Sequence, residues 1–438
     1  MVRAEDSGES AETVVVLFTL AYPYGNGEPF LHAEVAELSR QFDRVLIVPS
    51  SVTAFARQPR AVPSNVTVLG AVRASVPRAA ARQIVLHLPQ TLGALLHALR
   101  APTDLRGKLQ DLRFRIAVHV RANTVRRRVG MFLRDRSRVV FYAYWLDLPA
   151  AIAIDVRRAM GFARGKIVAR AHGFDVYAER RISNYLPMRD DILRGVTRIF
   201  SVSRAGCIYM RRRWPDHADK MSIAHLGTAP AENAGNAEQS VATLVSCAFI
   251  VPLKRLELVI DTVAELQSRG HDVHWKHIGP TDSPYAADLK RYAAGALPDG
   301  TFEFVGELDN GGVRNWYARN PASAFINVSE SEGVPVSIME ALAQGLPILA
   351  TDVGGNGETI DTSLGMFDGL LPADPTVRQI ADRVEGLLQS DPAAYRRYVD
   401  ASRENWKRAW SSEANYRVFV SELLADAQTR EGRGADVG

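Results

Sequence analysis

AFINVSESEGVPVSIMEALAQGLPILATDVGGNGETI, residues 324–360, decides how the rest of the chain is read. Residues 324–329 are apolar and β-branched and predict a buried strand. Residues 336–344 have helical spacing, with Pro335 where a first-turn proline is tolerated and Gly345 where a C-cap is expected. Residues 346–351 predict a second strand. Strand, turn, helix, strand is one unit of a parallel sheet, and ligands collect at the carboxyl ends of such strands. The turn at 329–334 lies at that end. There Glu332 precedes Gly333, which admits a ligand to the backbone, and the unpaired N–H groups of a helix N-terminus. Glu340 follows eight positions later, in the second turn of the helix. Two carboxylates so placed can hold separate hydroxyl-bearing parts of one ligand. Taken alone, they read equally well as a favourable charge near a helix start and a solvated helix residue.

Outward from this stretch, the 438-residue length exceeds one ordinary core and predicts two domains of similar size. With 47% hydrophobic and 23% charged residues the composition is that of a globular protein and excludes fibrous and disordered classes. Residues 1–13 carry more acid than base and no apolar core, which argues against a signal peptide, and the apolar run 14–20 is too short to span a bilayer. Cys207 and Cys247 have no zinc-spaced neighbours and read as free thiols in a reducing cytoplasm. The formal charge of +4 is uneven: residues 73–138 hold fifteen Lys or Arg against Asp104, Asp111 and Asp135, a net +12 that leaves −8 elsewhere. Such a patch favours polyanions or an anionic membrane surface.

Strands are expected at 14–20 and 44–49, joined through a loop carrying Gly25 and Gly27 and a helix from near Phe30. A glycine turn of this kind can aim N–H groups at a phosphate, though such turns are often only turns. Two helices are expected over 76–128, split near Ala101, with an apolar stripe of Ile84, Leu88, Leu92, Leu95, Leu96 and Leu99. They read as a solvated insertion or as a basic amphipathic pair that docks on a membrane. Further strands at 138–144, 166–171, 198–203 and 221–226 alternate with helices. Residues 231–240 are small, polar and aperiodic, and read as an interdomain linker. The second domain restarts at 243, with strands at 273–278 and 302–305, helices near 377–388 and 393–410, and a last amphipathic segment at 415–425.

SEGVP at 331–335 and GLPILATDVGG at 345–355 resemble the donor-sugar signature of the retaining family-4 glycosyltransferases, exopolysaccharide-building members of the colanic acid and amylovoran type in particular. PYGNGEPF at 23–30, ARAHGFDVY at 169–177 and VPLKR at 251–255 are similar to further blocks of that family, in the same order. The resemblance covers roughly 14–424 and implies the GT-B fold: α/β, with two Rossmann-like parallel-sheet domains facing across a cleft and a C-terminal helix crossing back. The domains would be 1–230 on the acceptor side, with the basic insertion at about 73–138, the linker 231–240, a nucleotide-sugar domain 241–410, and a crossing helix and tail 411–438.

Carried over residue by residue, the resemblance implies that Glu340 holds the ribose of a nucleotide diphosphate sugar. Glu332, with the backbone of Gly333 and Val334, would hold the sugar. Lys254 would neutralise the diphosphate with help from Arg255, and Gly25 and Gly27 would belong to the donor loop. His172, ending a strand ahead of a glycine, would touch the sugar on the acceptor side, so His172, Glu332 and Lys254 are the catalytic candidates. One departure stands out: Phe249 occupies the position, five before the lysine, where the family usually has an arginine. No Asp-x-Asp occurs, so metal-independent chemistry without a cofactor is expected.

The expected enzyme is a cytoplasmic retaining hexosyltransferase, peripheral at the inner face of the membrane, that serves cell-surface or exopolysaccharide assembly. Its acceptor would be a saccharide or a polyprenyl-diphosphate-linked saccharide. The alternatives are a GT-B nucleotide-sugar epimerase or phosphorylase, and a polyanion-binding scaffold in which Phe249 marks weakened catalysis. Nucleic acid is not expected as a partner, since no recognised module appears. A dinucleotide oxidoreductase is discounted because Gly25 and Gly27 lack the third glycine and the downstream acid.

Overall fold

The computed structural model describes residues 11–25, 28, 30–52, 60–70, 88–133, 138–161, 165–231 and 237–428. By contacts the chain divides into two units. The first runs to Ser201 and takes up Tyr209–Ser222 and the chain from Tyr416; the second comprises Val202–Ile208 and Ile223–Asn415. Residues 223–230 therefore associate with the second unit, ahead of the expected linker.

In the first unit β1 (Thr13–Thr19) leads through α1 (Leu31–Gln41) to β2 (Arg44–Pro49) and β3 (Val66–Val68). Two long helices follow, α2 (Leu88–Arg100) and α3 (Leu105–Gly130). Then come β4 (Arg138–Ala143), α4 (Leu148–Ala159), β5 (Lys166–Ala171), α5 (Arg189–Gly195), β6 (Arg198–Ser201), α6 (Arg204–Arg213), whose first half to Ile208 is counted with the second unit, and β7 (Met221–Ile223). The sheet order is β3-β2-β1-β4-β5-β6-β7. All seven residues of β1 are buried, which suits the valine run of a strand covered on both faces. Beyond β6 the chain turns at Ser203, whose carbonyl begins α6, so the strand expected to reach 203 stops at Ser201.

The second unit starts with β8 (Thr243–Cys247) and α7 (Leu256–Ser268), then β9 (His274–Ile278), α8 (Pro284–Ala296), β10 (Phe302–Gly306) and α9 (Asn310–Arg319). It continues through β11 (Ala324–Asn327), α10 (Val336–Gln344), β12 (Ile348–Thr351), β13 (Leu370–Leu371), α11 (Val377–Leu388) and α12 (Pro392–Asn405). Its sheet order is β10-β9-β8-β11-β12-β13, and every pairing with a described register is parallel. The expected helix 336–344 is met at both ends, but Pro335 is its N-cap and not its first helical residue. Gly345 takes φ 84°, the left-handed C-cap that a side chain would strain. β12 begins two residues later than expected because Pro347 has no N–H to give the ladder.

The described end of the expected linker is not loose. The Glu238 N–H donates to the Ala322 carbonyl at 2.8 Å, and the Gln239 amide donates to the carbonyls of Leu387, Leu388 and Ser390. These are the orphan acceptors past the end of α11, so 237–241 is fixed to the second unit.

The last helix, α13 (Ser412–Gln428), passes to the first unit at Tyr416 and packs on its sheet. Phe419 stacks edge-on against Tyr142 and Phe200, and the guanidinium of Arg170 lies 3.9 Å from the centroid of its ring. Asp426 accepts from Lys166 at 3.0 Å and Arg198 at 3.2 Å. The helix expected at 411–438 thus has an apolar anchor at Phe419 and an ionic one at Asp426.

α2 and α3 are the expected basic pair, with Ile84 and the rest of 76–87 outside the described residues and the side chain of Leu88 likewise. Ala98 and Ala101 face inward, whereas Leu92, Leu96 and Leu99 are 58%, 48% and 55% exposed. No helix among the described residues is long and apolar enough to cross a membrane.

Candidate active site

In the second sheet the chain proceeds from β8 outward to β10 on one side and from β11 to β13 on the other, so β8 and β11 are neighbours whose following loops diverge. A crevice opens at the carboxyl ends of such a strand pair. Lys254 follows β8 and Glu332 follows β11, and the topology brings them together: Lys254 Nζ donates to Glu332 Oε1 at 2.5 Å. The same oxygen accepts from the Ser329 hydroxyl at 2.7 Å and the Asn327 amide at 3.2 Å. Glu332 is 8% exposed, so its charge is held by a cation and two fixed dipoles in place of water.

The two loops are knitted along their backbones. The Glu330 N–H donates to the Leu253 carbonyl at 2.9 Å. Arg255 donates to the carbonyls of Val328 and Ser329, and also to the Ala373 carbonyl and Asp374. Arg255, expected to assist at the diphosphate, thus has its guanidinium bonded to carbonyls of the loop that bears Glu332. Phe249 is 68% exposed, so nothing at that position supplies the cation that the resemblance implies.

Gly354 and Gly355 close the turn from the other side. A Cβ on Gly354, at φ 54°, would stand 1.8 Å from the Glu332 carbonyl oxygen, and one on Gly355 would stand 2.2 Å from that of Gly333. The Gly355 N–H donates to the Gly333 carbonyl at 2.6 Å. Only glycines allow this approach, and it sets the backbone of Glu332, Gly333 and Val334.

Glu340 projects from the second turn of α10 and is 8% exposed. Burial pushes its carboxyl up to about 7, against a downward pull from Arg314 on α9. The Cys247 thiol, at the end of β8, is pushed up to about 12 by burial and by the charge of Glu340, while Lys254 opposes the shift. Neither cysteine is in a disulfide.

In the first unit His172 immediately follows β5, as expected. Its ring stacks on Trp145 at 4.3 Å and on Tyr144 at 4.8 Å between centroids. The side chain is 10% exposed and neither ring nitrogen has a hydrogen-bond partner among the described residues; Nδ1 stands 3.9 Å from Asp175 Oδ2.

Trp145 ties this ring to the loop after β1, donating from Nε1 to Glu28 at 2.6 Å. The Glu28 carboxylate also accepts from the backbone N–H groups of Leu20, Ala21 and Tyr22. The expected phosphate-facing N–H groups at the start of this loop are therefore taken by an internal carboxylate. Gly25 adopts φ 67° and lends its carbonyl to Arg60, and Gly27 lies outside the described residues.

The candidates thus form two groups, Lys254, Glu332 and Glu340 in the second unit and His172 in the first. The sequence reading missed Asn327, Ser329, Arg314, Glu28 and Trp145. Asn327 and Ser329 were signalled as polar residues ending a buried strand, whereas Arg314 carried no sign in the sequence. No group of three or more His, Cys, Asp or Glu among the described residues is arranged to hold a metal ion.

Residues 231–406 match the family described as glycosyl transferases group 1. Over 296 residues the chain is 23% identical to the Escherichia coli K12 protein provisionally named colanic acid biosynthesis glycosyltransferase WcaL, spanning 63% of this chain and 68% of that one. Among solved structures it resembles Anabaena Alr3699/HepE in complex with UDP and glucose, with TM-score 0.61 and 14% identity over 94% of this chain and 99% of that one. It also resembles the sucrose-phosphate synthase of Thermosynechococcus elongatus, with TM-score 0.65 and 14% identity over 94% and 98% of the two chains. At these identities the structural likeness is one of fold. The chain is a glycosyltransferase with two Rossmann-like units of the GT-B kind, and its residues 231–406 form a group 1 domain.

Proposed function

We propose that this enzyme transfers a sugar from a nucleotide diphosphate sugar to a saccharide acceptor with retention of anomeric configuration and without a metal ion, in assembly of a surface or secreted polysaccharide. The observation that carries the reading is the largely buried Lys254–Glu332 pair that joins the loops after β8 and β11, with a buried Glu340 on the helix that follows. Departure of a nucleoside diphosphate builds negative charge, and a fixed ammonium is suited to stabilise it. Glu332 would then exchange part of its internal bonding for sugar hydroxyls, and Glu340 would accept from the ribose. The His172 ring would orient the sugar or the incoming hydroxyl. UDP in the related Anabaena structure makes uridine the first base to try.

The acceptor in this reading is carried on a polyprenyl diphosphate at the inner face of a membrane. Support comes from exposed Leu92, Leu96, Leu99 and Leu105 interleaved with exposed Arg100 and Arg106 on α2 and α3. The deciding experiment is a thermal-shift panel of nucleotides and nucleotide sugars, followed by product analysis with each stabilising donor in the presence of a chelator. A raised midpoint with one nucleotide class and an acceptor-dependent, anomer-retained product are expected. Absence of any stabilising nucleotide would sink the reading; product formation without acceptor would favour an epimerase.

A further inference from the structure

A cavity of about 630 Å³ opens in the first unit among α2, α3, α4 and α5, and it is not part of the site built above. Arg157, on its wall, donates to the carbonyl of Gly165 just ahead of β5, and the wall ends at Gly195 just ahead of β6. It therefore lies toward the amino ends of strands whose carboxyl ends lead to His172, separated by the length of β5, roughly 20 Å.

Its volume is that of a small-molecule site. The floor is apolar, built from Val118, Ala151, Ile154 and Ile192, while Arg115, Arg157, Arg158 and Arg194 face Asp155 and Asp191 around it. Asp191 pairs with Arg115 at 2.7 Å and with Arg194, and Arg115 is shared with the buried Asp111 at 2.5 Å, which leaves Arg157 and Arg158 as the excess. Asp155 stands 3.8 Å from His119. Arg158 is exposed and its side chain has no ion pair or hydrogen bond among the described residues. An arginine excess over an apolar floor matches a molecule with an anionic head and an apolar body, because guanidinium groups bind phosphate in a forked geometry. The cavity is roofed by Gly93, Ala94 and His97 of α2, whose opposite face presents the exposed leucines.

We infer that this cavity binds the phosphate head of an anionic amphiphile delivered from the surface on which α2 rests. The inference rests on the membrane reading of α2 given above. The shared chemistry is a phosphate group, and its source separates by experiment. Binding is measured by calorimetry with the full chain and dihexanoyl phosphatidic acid below its micelle concentration, with dihexanoyl phosphatidylcholine and inorganic phosphate as the other arms. Phosphatidic acid is expected to bind at least tenfold tighter than either.

Two variants address the cavity itself. Arg158→Glu is expected to remove the preference for the anionic lipid and Arg158→Lys to keep most of it. Gly93→Phe, at a position where an added Cβ meets nothing within 4 Å, fills the cavity and is expected to weaken binding at least tenfold. Arg127→Glu, on α3 but outside the cavity lining, is the control and is expected to change little. Equal binding of the two lipids, or unchanged binding in both cavity variants, overturns the proposal. Inorganic phosphate binding as tightly as the lipid overturns its lipid half. The assay needs no sugar transfer, so a failure of nucleotide binding would sink the proposed function and leave this result standing, and the reverse holds.

Discussion

Lys254 Nζ and Glu332 Oε1 stand 2.5 Å apart in a pair that leaves 18% of one side chain and 10% of the other exposed. The contact joins the loops after β8 and β11, so one ion pair ties together the two parallel strand ends at which the strand order of the sheet reverses. A pair so nearly dry costs much of its Coulomb energy in desolvation, and its placement at a crevice is better explained by chemistry than by stability. Lys254→Met is expected to lower kcat/KM about 100-fold or more, the scale of losing one preorganised charge partner. It also leaves Glu332 with two neutral donors, at a cost of about 3 kcal/mol. Steady-state kinetics and urea denaturation on the same preparation separate the two effects; unchanged turnover would remove Lys254 from the mechanism.

Glu340 supplies a pH signature. In the unfolded chain its carboxyl titrates near 4.5, and burial raises it to about 7 in the fold. The folded state holds the proton more tightly, so this contribution to stability is complete below about pH 4.5 and is lost as pH rises through about 7. Glu340→Gln is therefore expected to leave stability unchanged at pH 4 and to raise it by up to about 3 kcal/mol at pH 8. Ribose hydroxyls that donate to the ionised carboxylate compete with the same proton. Uridine nucleotide binding near pH 7 should release a proton in the wild type and not in the Gln variant, which calorimetry in two buffers of different ionisation enthalpy will register.

The His172 side chain is held by rings and by no hydrogen bond among the described residues, so its packing and its chemistry are separable. His172→Phe keeps an aromatic body against Trp145 and Tyr144 and deletes both nitrogens. The expected result is a thermal midpoint close to that of the wild type, donor affinity within about threefold, and kcat reduced by about 100-fold, the lower end of what a positioned acid or base supplies. Equal kcat in wild type and variant would make His172 a packing residue.

Much of this arrangement was legible in the sequence because local rules and the global fold agree there. The residues at 336–344 have helical periodicity, a proline at one end and a glycine at the other, and the helix occupies that span. Lys254, Glu332 and Glu340 were legible as a group only through the motifs that bracket them, since 78 residues separate the first two and no periodicity links them. What could not be read is competition for partners. Nothing local says that Arg255 is consumed by the carbonyls of Val328, Ser329 and Ala373 while its neighbour Lys254 reaches the carboxylate. Nor does PYGNGEPF reveal that Glu28 folds back onto the N–H groups at 20–22, because a carboxylate in a loop is equally at home in solvent.

The C-terminal helix is expected to be indispensable to the first unit. Arg170 and Glu34 are both fully buried, 3.5 Å apart, with Tyr142 bonded to each and the Phe419 ring over the guanidinium. Arg170→Ala would strand the Glu34 charge without a partner in the core, at an expected cost of about 3–5 kcal/mol. Phe419→Ala is expected to cost a similar amount by opening a cavity beside the same cation. Urea midpoints test both. A double variant clearly less destabilised than the sum of the singles is expected, because the two side chains touch.

Phe249 offers the opposite kind of test, a gain. The position follows β8, ahead of the turn that carries Lys254, and its ring is 68% exposed, so replacing it should move stability by no more than about 0.5 kcal/mol. With Arg255 engaged on loop carbonyls, Lys254 is the cation of this turn left to meet a diphosphate. Phe249→Arg adds a forked donor on the same loop. If a diphosphate does sit against Lys254, the variant should bind uridine diphosphate about tenfold more tightly, the scale of one hydrogen bond to a charged group. The gain should shrink with added salt, since an exposed cation is screened. A tightening seen equally for uridine would point to stacking or packing and not to charge. No tightening at low salt would mean that the diphosphate lies elsewhere, and Lys254 would then serve Glu332 alone.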